Sequence, residues 1–312
     1  MKHEQPRIVV VGSLNMDLVT RTARRPERGE TLLGEDFSMF VGGKGLNQAI
    51  AAARQGAQVT MVGRLGADDF GAQLRRKMEA EGIDAQFVAE DASTSTGIAT
   101  IVIDGEGDNS IIVVAGANGH VGPGDVESAA DAIAAADLVM LQLEVPLDAA
   151  VRAAEVARDR GTRVMLNPAP AQLLPDALLG LVDVLTPNES ETQILTGKAV
   201  SDDQSAERAA AALLARGVGA AVLTLGARGA LLADGKRFTH VPGYQVKVVD
   251  TTAAGDAFCG ALAVQLARDS ALEDAIRYAN AAGALATTVL GAEPAMPRIE
   301  AVEQLVGRGS SQ

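Results

Sequence analysis

Short β-branched apolar runs alternate with longer alanine-rich stretches of helical period along most of this 312-residue chain. That alternation is the pattern of β-α units laid on a mainly parallel sheet, whose strands are apolar on both faces because helices cover both. An α/β fold follows. Residues 8–11 read as the first buried strand, 49–54 lie in a helix ended by Gly56, and 59–62 return as a strand. The next helix, 70–81, starts after Asp68 as a cap and stops before Gly82. Strands are predicted at 138–141, 164–166, 184–186 and 221–224, with helices at 148–159 and 206–215; the turn NPAP, 167–170, stops the strand before it.

The rhythm breaks at 17–40 and at 96–114. The second stretch holds two alternating runs, GIATIVI and NSIIVV, joined by the turn DGEGD, so these segments read as antiparallel strands. With no long linker, low-complexity tract or internal repeat, the chain reads as one domain, 1–312, with a small β-sheet lid built from 17–41 and 96–115.

Composition narrows the function. The 27 Lys and Arg stand against 40 Asp and Glu, a net charge of −13, with no basic run of the kind that tracks a phosphate backbone. Nucleic acid is not an expected partner. A small polyanion remains possible as ligand, since backbone N–H groups and helix N-termini hold phosphates locally. One cysteine, Cys259, permits no internal disulfide and fits a reducing compartment, so the cytosol is the expected location. The apolar run before Gly12 is too short for a signal h-region or a membrane span, and no membrane association is expected. With 3% aromatic residues, the core must be packed from Ala, Val, Leu and Ile.

The strongest local signal is DTTAAGDAFCGAL, from Asp250 to Leu262. Ala253, Ala254 and Gly255 permit a tight turn, and the apolar run after Asp256 opens a helix, so free N–H donors and the helix dipole form an anion hole. Asp256 is the odd member. Alone it reads as a helix cap; beside an anion site it reads as a group placed to take a proton. A second glycine-rich element, FVGGKGLNQAIAAA, sets Lys44 and Asn47 to project from the Gly42–Gly43 turn, and it lacks the spacing of a Walker A loop. GSLNMD places Asn15 and Asp17 just past the first strand, where open α/β sheets gather ligand groups; Asx-turn roles are the alternative.

Three further elements fall at matching strand ends. LQLE leaves Glu144 after a buried strand, as a ligand group or a helix cap. TPNESE gives Asn188 and Glu191 one helical turn apart, apt for ordering water around Mg²⁺. LTLGARGALL gives a turn of Gly226, Ala227, Arg228 and Gly229 beside Thr224, suited to backbone contact with a nucleotide. His3, His120 and His240 have no metal-ligand spacing, no G-x-S-x-G elbow occurs, and the first strand is not followed by G-x-G-x-x-G. Cys259 reads as small core packing.

Taken in order, VVVGSLNMD, VGGKGLNQA, LQLEVP, LNPAPA, TPNESE, LTLGARG and VDTTAAGDAF resemble the ribokinase/PfkB-type carbohydrate kinase family, nearly end to end. The resemblance implies a three-layer α/β/α fold whose lid also builds a homodimer. It implies an ATP-dependent kinase acting on the 5-hydroxyl of ribose, with other sugars, a nucleoside such as adenosine, or a non-catalytic sensor as alternatives. By that carry-over Asn15, Asp17, Gly43, Lys44, Asn47 and Glu144 hold the sugar, and Asp256 is the base. Asn188, Thr224, Gly226, Gly229, Gly255 and Asn280 attend ATP. A monovalent cation, K⁺, would fall on Asp250, Thr252, Ala286, Val289, Gly291 and Ala295. The chain departs from the family in reading AAGD where many members read GAGD, which places Ala253 where glycine is common.

Overall fold

A computed structural model describes residues 5–235 and 237–309. His3 lies outside the described residues. The chain runs from β1 (Arg7–Val11) into β2 (Asn15–Arg21) and β3 (Asp36–Gly42), then α1 (Lys44–Arg54), β4 (Gln58–Gly66), α2 (Asp69–Ala80) and β5 (Asp84–Asp91). A hairpin follows, β6 (Gly97–Ile103) and β7 (Asn109–Val114), and two short helices, α3 (Pro123–Ser128) and α4 (Ala130–Ala135). Next come β8 (Leu138–Leu141), α5 (Leu147–Arg160), β9 (Arg163–Leu166), α6 (Asp176–Leu179), β10 (Val184–Leu185), α7 (Glu189–Thr196) and α8 (Asp203–Ala215). The chain ends through β11 (Ala220–Thr224), β12 (Ala230–Asp234), β13 (Arg237–Val241), α9 (Ala254–Ala267), α10 (Leu272–Ala286) and α11 (Ile299–Gly309).

The main sheet has the order β13-β12-β11-β10-β9-β8-β1-β4-β5, parallel from β11 through β5, with β12 and β13 added antiparallel at one edge. Its central strands are apolar on both faces because both faces are covered. Ile8 and Val10 of β1 join Leu138 and Met140 of β8 in a core under α1, α2, α9, α10 and α11. Val9, Val11, Val139 and Leu141 join the opposite core, under α3 to α8. The three-layer α/β/α architecture is thus present. From β1 the sheet grows one way through β4 and β5 and the other way through β8 to β11. The strand order therefore reverses between β1 and β8, and ligand sites in such sheets lie beyond the carboxyl ends of the strands at that reversal.

A second sheet, β3-β2-β6-β7, comes from the two stretches that broke the rhythm. The antiparallel reading holds for β2 with β3 and β6 with β7, but β2 pairs with β6 in parallel. The reason is that β2 leaves β1 directly while β6 arrives from the far edge strand β5, so no hairpin joins them. Register sorts the side chains, since paired residues share a face. Met39, Leu18, Thr100 and Ile112 align on one face, with Phe37 and Val114 at alternate positions. Phe37, Met39, Ile112 and Val114 are exposed there. Asp17, Val19 and Arg21 point the other way, into a cavity of about 210 Å³ floored by Asp250, Thr252 and Gly291. No described helix is long and apolar enough to cross a membrane.

Candidate active site

Helix α9 positions the site. Its first turn carries Asp256, and it packs closely on α1 because Gly260 offers no side chain where Ala51 and Ala52 approach. This contact brings Asn47 and Gln48 of α1 onto Asp256: Asn47 Nδ2 donates to Asp256 Oδ2 at 3.1 Å and Gln48 Nε2 to Oδ1 at 3.0 Å. The N-cap position of α9 belongs to Ala253, so Asp256 is not the cap. Its carboxylate is buried, and burial raises its pKa against the opposing pull of the Lys44 cation and the two amides.

Around Asp256 the other sequence-predicted sugar residues converge. Gly43 has φ 86 and lies against the backbone of Asn15 and Ser13, so only glycine fits that turn. The turn delivers Lys44 at the start of α1, where its N–H donates to Glu144 Oε2 at 3.0 Å. Ser13, one residue before Leu14 and not singled out from sequence, donates its hydroxyl to the same oxygen at 2.6 Å. Glu144 is therefore a strap between the β1 and β8 ends and not a helix cap. The Lys44 ammonium is kept charged by Asp256 first and Glu144 next, despite its burial. Asp17 is pushed up to about 7 by burial, then by Glu144 and Asp256. Asn47 Oδ1 is buried with no hydrogen-bond partner among the described residues, an acceptor that a ligand hydroxyl could satisfy. Asn15 Oδ1 accepts from Asn118 Nδ2 at 2.7 Å, which leaves its NH₂ group, a donor only, for a ligand.

On the other side of the α9 N-terminus lies a cavity of about 660 Å³. Asn188, Thr224, Gly226, Ala227, Gly229, Gly255 and Asn280 line it, together with Thr287 at the end of α10 and with Tyr244 and Val246, which sequence reasoning missed because the segment 243–248 has neither motif nor period. Arg228 does not line it. Its guanidinium pairs with Glu189 and Asp203, at 2.7 and 2.9 Å, and only the backbone of its turn faces the cavity side. Asn188 and Glu191 form a capping box on α7: Glu191 Oε2 accepts the Asn188 N–H at 2.8 Å, and Asn188 Oδ1 accepts the Glu191 N–H at 2.8 Å. Their spacing thus has a structural use, and Glu191 does not line the cavity. Asn280 holds the cavity wall by donating to the Val241 and Pro242 carbonyls.

The anion hole takes a specific form. Ala253 adopts φ 58, a left-handed conformation that costs a residue with a Cβ about 1–2 kcal/mol, which is why glycine suits this position. The Ala254 N–H leans back to the Thr251 carbonyl at 3.3 Å. Gly255 and Asp256 then present first-turn N–H groups, which have no intrahelical acceptor. Ahead of this turn, Asp250 accepts from the Thr252 N–H and hydroxyl, 2.9 and 2.7 Å, and from the Gly291 N–H, 2.8 Å. Burial would raise Asp250, but these hydrogen bonds hold it below the usual carboxylate range. Ala286 and Ala295 are buried nearby in sequence terms on α10 and the turn after Glu293, while Val289 is exposed. Cys259 is core: burial pushes its thiol up to about 12.

A three-layer α/β/α fold with a buried carboxylate in the first turn of α9, beside a cavity that Ala254 and Gly255 line, agrees with the sequence comparison. Residues 5–299 match the pfkB family carbohydrate kinases, and the chain belongs to that family. It is 40% identical over 299 residues to the ribokinase of Haemophilus influenzae, covering 96% of this chain and 98% of that one. It is 37% identical over 294 residues to a deoxyribokinase of Salmonella typhi, covering 94% and 96%. The structure of Arabidopsis thaliana ribokinase complexed with ribose and ATP superposes with a TM-score of 0.90 at 33% identity, covering 97% of this chain and 99% of that one.

Proposed function

We propose that this protein phosphorylates the 5-hydroxyl of D-ribose with ATP, giving D-ribose 5-phosphate. The observation that carries this reading is the first turn of α9, where Ala254 and Gly255 line the larger cavity and Asp256, the next residue, turns to Asn47, Gln48 and Lys44. ATP occupies the larger cavity, with its terminal phosphate at the turn. Ribose lies among Asn15, Asp17, Gly43, Lys44, Asn47 and Glu144. Asp256 takes the proton of the 5-hydroxyl as that oxygen attacks the γ-phosphorus and ADP leaves. The N–H groups of Gly255 and Asp256 meet the charge that develops, and most of the catalysis is positioning and electrostatics. The four-stranded sheet acts as the lid of a single domain, and Asp17, on its inner face, reports whether sugar is bound beneath it.

Two ions belong to this reading. Mg²⁺ would neutralise the β- and γ-phosphates, and Asn188, which lines the cavity and is braced by Glu191 behind it, would help order its water shell. The Asp250 carboxylate, the Thr252 hydroxyl and the carbonyls of Ala286, Val289, Gly291 and Ala295 are an all-oxygen set that suits a hard monovalent cation such as K⁺. K⁺ there would fix the loop that presents the anion hole. Activity is therefore expected to rise with K⁺ at constant ionic strength; equal rates with a bulky organic cation in its place would remove that site. The exposed apolar face of Phe37, Met39, Ile112 and Val114 supports a homodimer formed through the lid. A reducing cytosol is the compartment that the buried free thiol of Cys259 suits.

Steady-state kinetics with ATP against ribose, 2-deoxyribose, fructose and adenosine test the substrate. Ribose is expected to lead 2-deoxyribose by at least about tenfold in kcat/KM, because Asn15 donates and Asp17 accepts at neighbouring hydroxyls, and an unpaired buried group costs about 1–3 kcal/mol. Replacing Asn15 by Met should erode that lead. Equal values for both sugars in the unmodified protein would show that Asn15 does not read the 2-hydroxyl.

A further inference from the structure

We propose that Gln48 is the positioning residue of the base: it fixes the Asp256 carboxylate through a chain of buried and half-buried amides whose donor-acceptor sense is set at both ends. Gln48 Nε2 donates to Asp256 Oδ1 at 3.0 Å and to Asn167 Oδ1 at 3.1 Å. Gln48 Oε1 accepts from Gln142 Nε2 at 2.7 Å. Asn167 Nδ2 donates to the Thr186 carbonyl at 2.9 Å. A backbone carbonyl and an ionised carboxylate can only accept, so the Thr186 end forces Asn167 to turn its oxygen toward Gln48, and the Asp256 end forces Gln48 to turn its nitrogen toward both. Gln142 must then donate, which leaves its own oxygen packed and without a partner among the described residues. A natural amide chain seldom leaves a buried acceptor unpaired, and here that cost falls on Gln142, which reaches Asp256 through Gln48.

The chain runs across the carboxyl ends of β8, β9 and β10, in the middle of the main sheet, and ends on the carboxylate that must be ionised to act as base. Gln48 and Asn47 each supply one N–H, one to each Asp256 oxygen, so the carboxylate plane is held from both sides. Hydrogen bonds of this kind favour the charged form of a buried acid. The charged groups facing Asp256 are Lys44 from α1, Glu144 after β8, Asp17 on β2 and Glu191 on α7, with the Cys259 thiol on its own helix. Lys44 opposes burial first, but acids outnumber it in that set, and the Gln48 and Asn47 donors add to its pull. Gln48 does not line the larger cavity, which separates it from the groups that face that cavity.

This inference rests on Asp256 being the base. The test is the pH profile of kcat in Gln48→Leu and Gln48→Glu, with Asp256→Asn beside them. For Gln48→Leu we expect kcat to fall about 10- to 100-fold, KM for ATP to stay within about twofold, and the acidic limb of kcat to move up by about one pH unit, the size of losing one charge-assisted hydrogen bond. Gln48→Glu keeps the shape but sets a third acceptor against Asp256 and Asn167, and should move the limb further. A limb that stays in place in either folded variant overturns the proposal, even if kcat or thermal stability falls. An active Asp256→Asn would instead remove the base itself, whereas an inactive Asp256→Asn with an unmoved limb in the Gln48 variants removes only Gln48.

Discussion

Asp256→Asn should retain the fold and nucleotide binding and lose turnover by about 10²–10⁴, the range for removing a general base. The amide matches the carboxylate in shape, and one of its atoms can still accept from Asn47 or Gln48, so α1 and α9 stay packed. It removes a buried charge that burial disfavours but also the main counter-charge of the buried Lys44, so the two effects oppose each other and the variant is expected to melt within a few degrees of the parent. What it cannot do is take the 5-hydroxyl proton. Because burial raises the Asp256 pKa, the acidic limb of kcat in the parent should lie above the ordinary carboxylate range; activity is lost as pH falls through it. The checks are kcat at saturating ribose and ATP, and a thermal melt with and without ATP. A variant keeping more than about a third of the parent kcat would end the assignment of Asp256 as base.

Sequence showed the parts of this site that are local and hid those assembled from afar. Asp256 and the glycine-rich turn before Lys44 announce themselves because an anion hole and its acid come from consecutive residues, here 253–256. Gln48 sits beside Asn47 in the same motif, yet its partners Gln142, Asn167 and Asp256 lie 94, 119 and 208 positions away, and nothing in an alanine-rich helix start distinguishes it. The TPNESE spacing was legible but carried two meanings, since a capping box and a pair of ligand groups need the same residues one turn apart. Arg228 shows the opposite limit. Its neighbours Gly226, Ala227 and Gly229 line the larger cavity, while its own long side chain is drawn to Glu189 and Asp203 on neighbouring helices. Strands β1, β4 and β8 to β11 were legible from their apolar runs while the edge strands β5, β12 and β13 were not, and the parallel pairing of β2 with β6 depends on which strands they follow and not on their own residues.

Asp17→Asn separates sugar binding from folding in opposite directions, and pH decides both. In the empty site burial, Glu144 and Asp256 raise Asp17 from 3.8 to about 7, so near neutral pH it is part protonated. Sugar hydroxyls donate to the ionised form, which means binding favours loss of that proton. KM for ribose in the parent should therefore fall as pH rises from about 6 to 8, by at most about tenfold per pH unit. The variant has no such titration: its KM should be flat over that window and higher by about 10- to 100-fold at pH 8, the worth of one charge-assisted hydrogen bond. Stability moves the other way. A group whose folded pKa is above its unfolded value stabilises fully below the unfolded value, here 3.8, and that contribution is lost as pH rises to about 7. At pH 8 the parent carries the whole cost of a buried charge, at most about 4 kcal/mol for a shift of this size, and the amide escapes it. Asp17→Asn should accordingly melt a few degrees higher than the parent at pH 8, with the gap closing toward pH 4. A parent KM that does not change between pH 6 and pH 8, or a variant that melts lower than the parent at pH 8, would show that Asp17 is not the buried, charge-crowded acceptor described above.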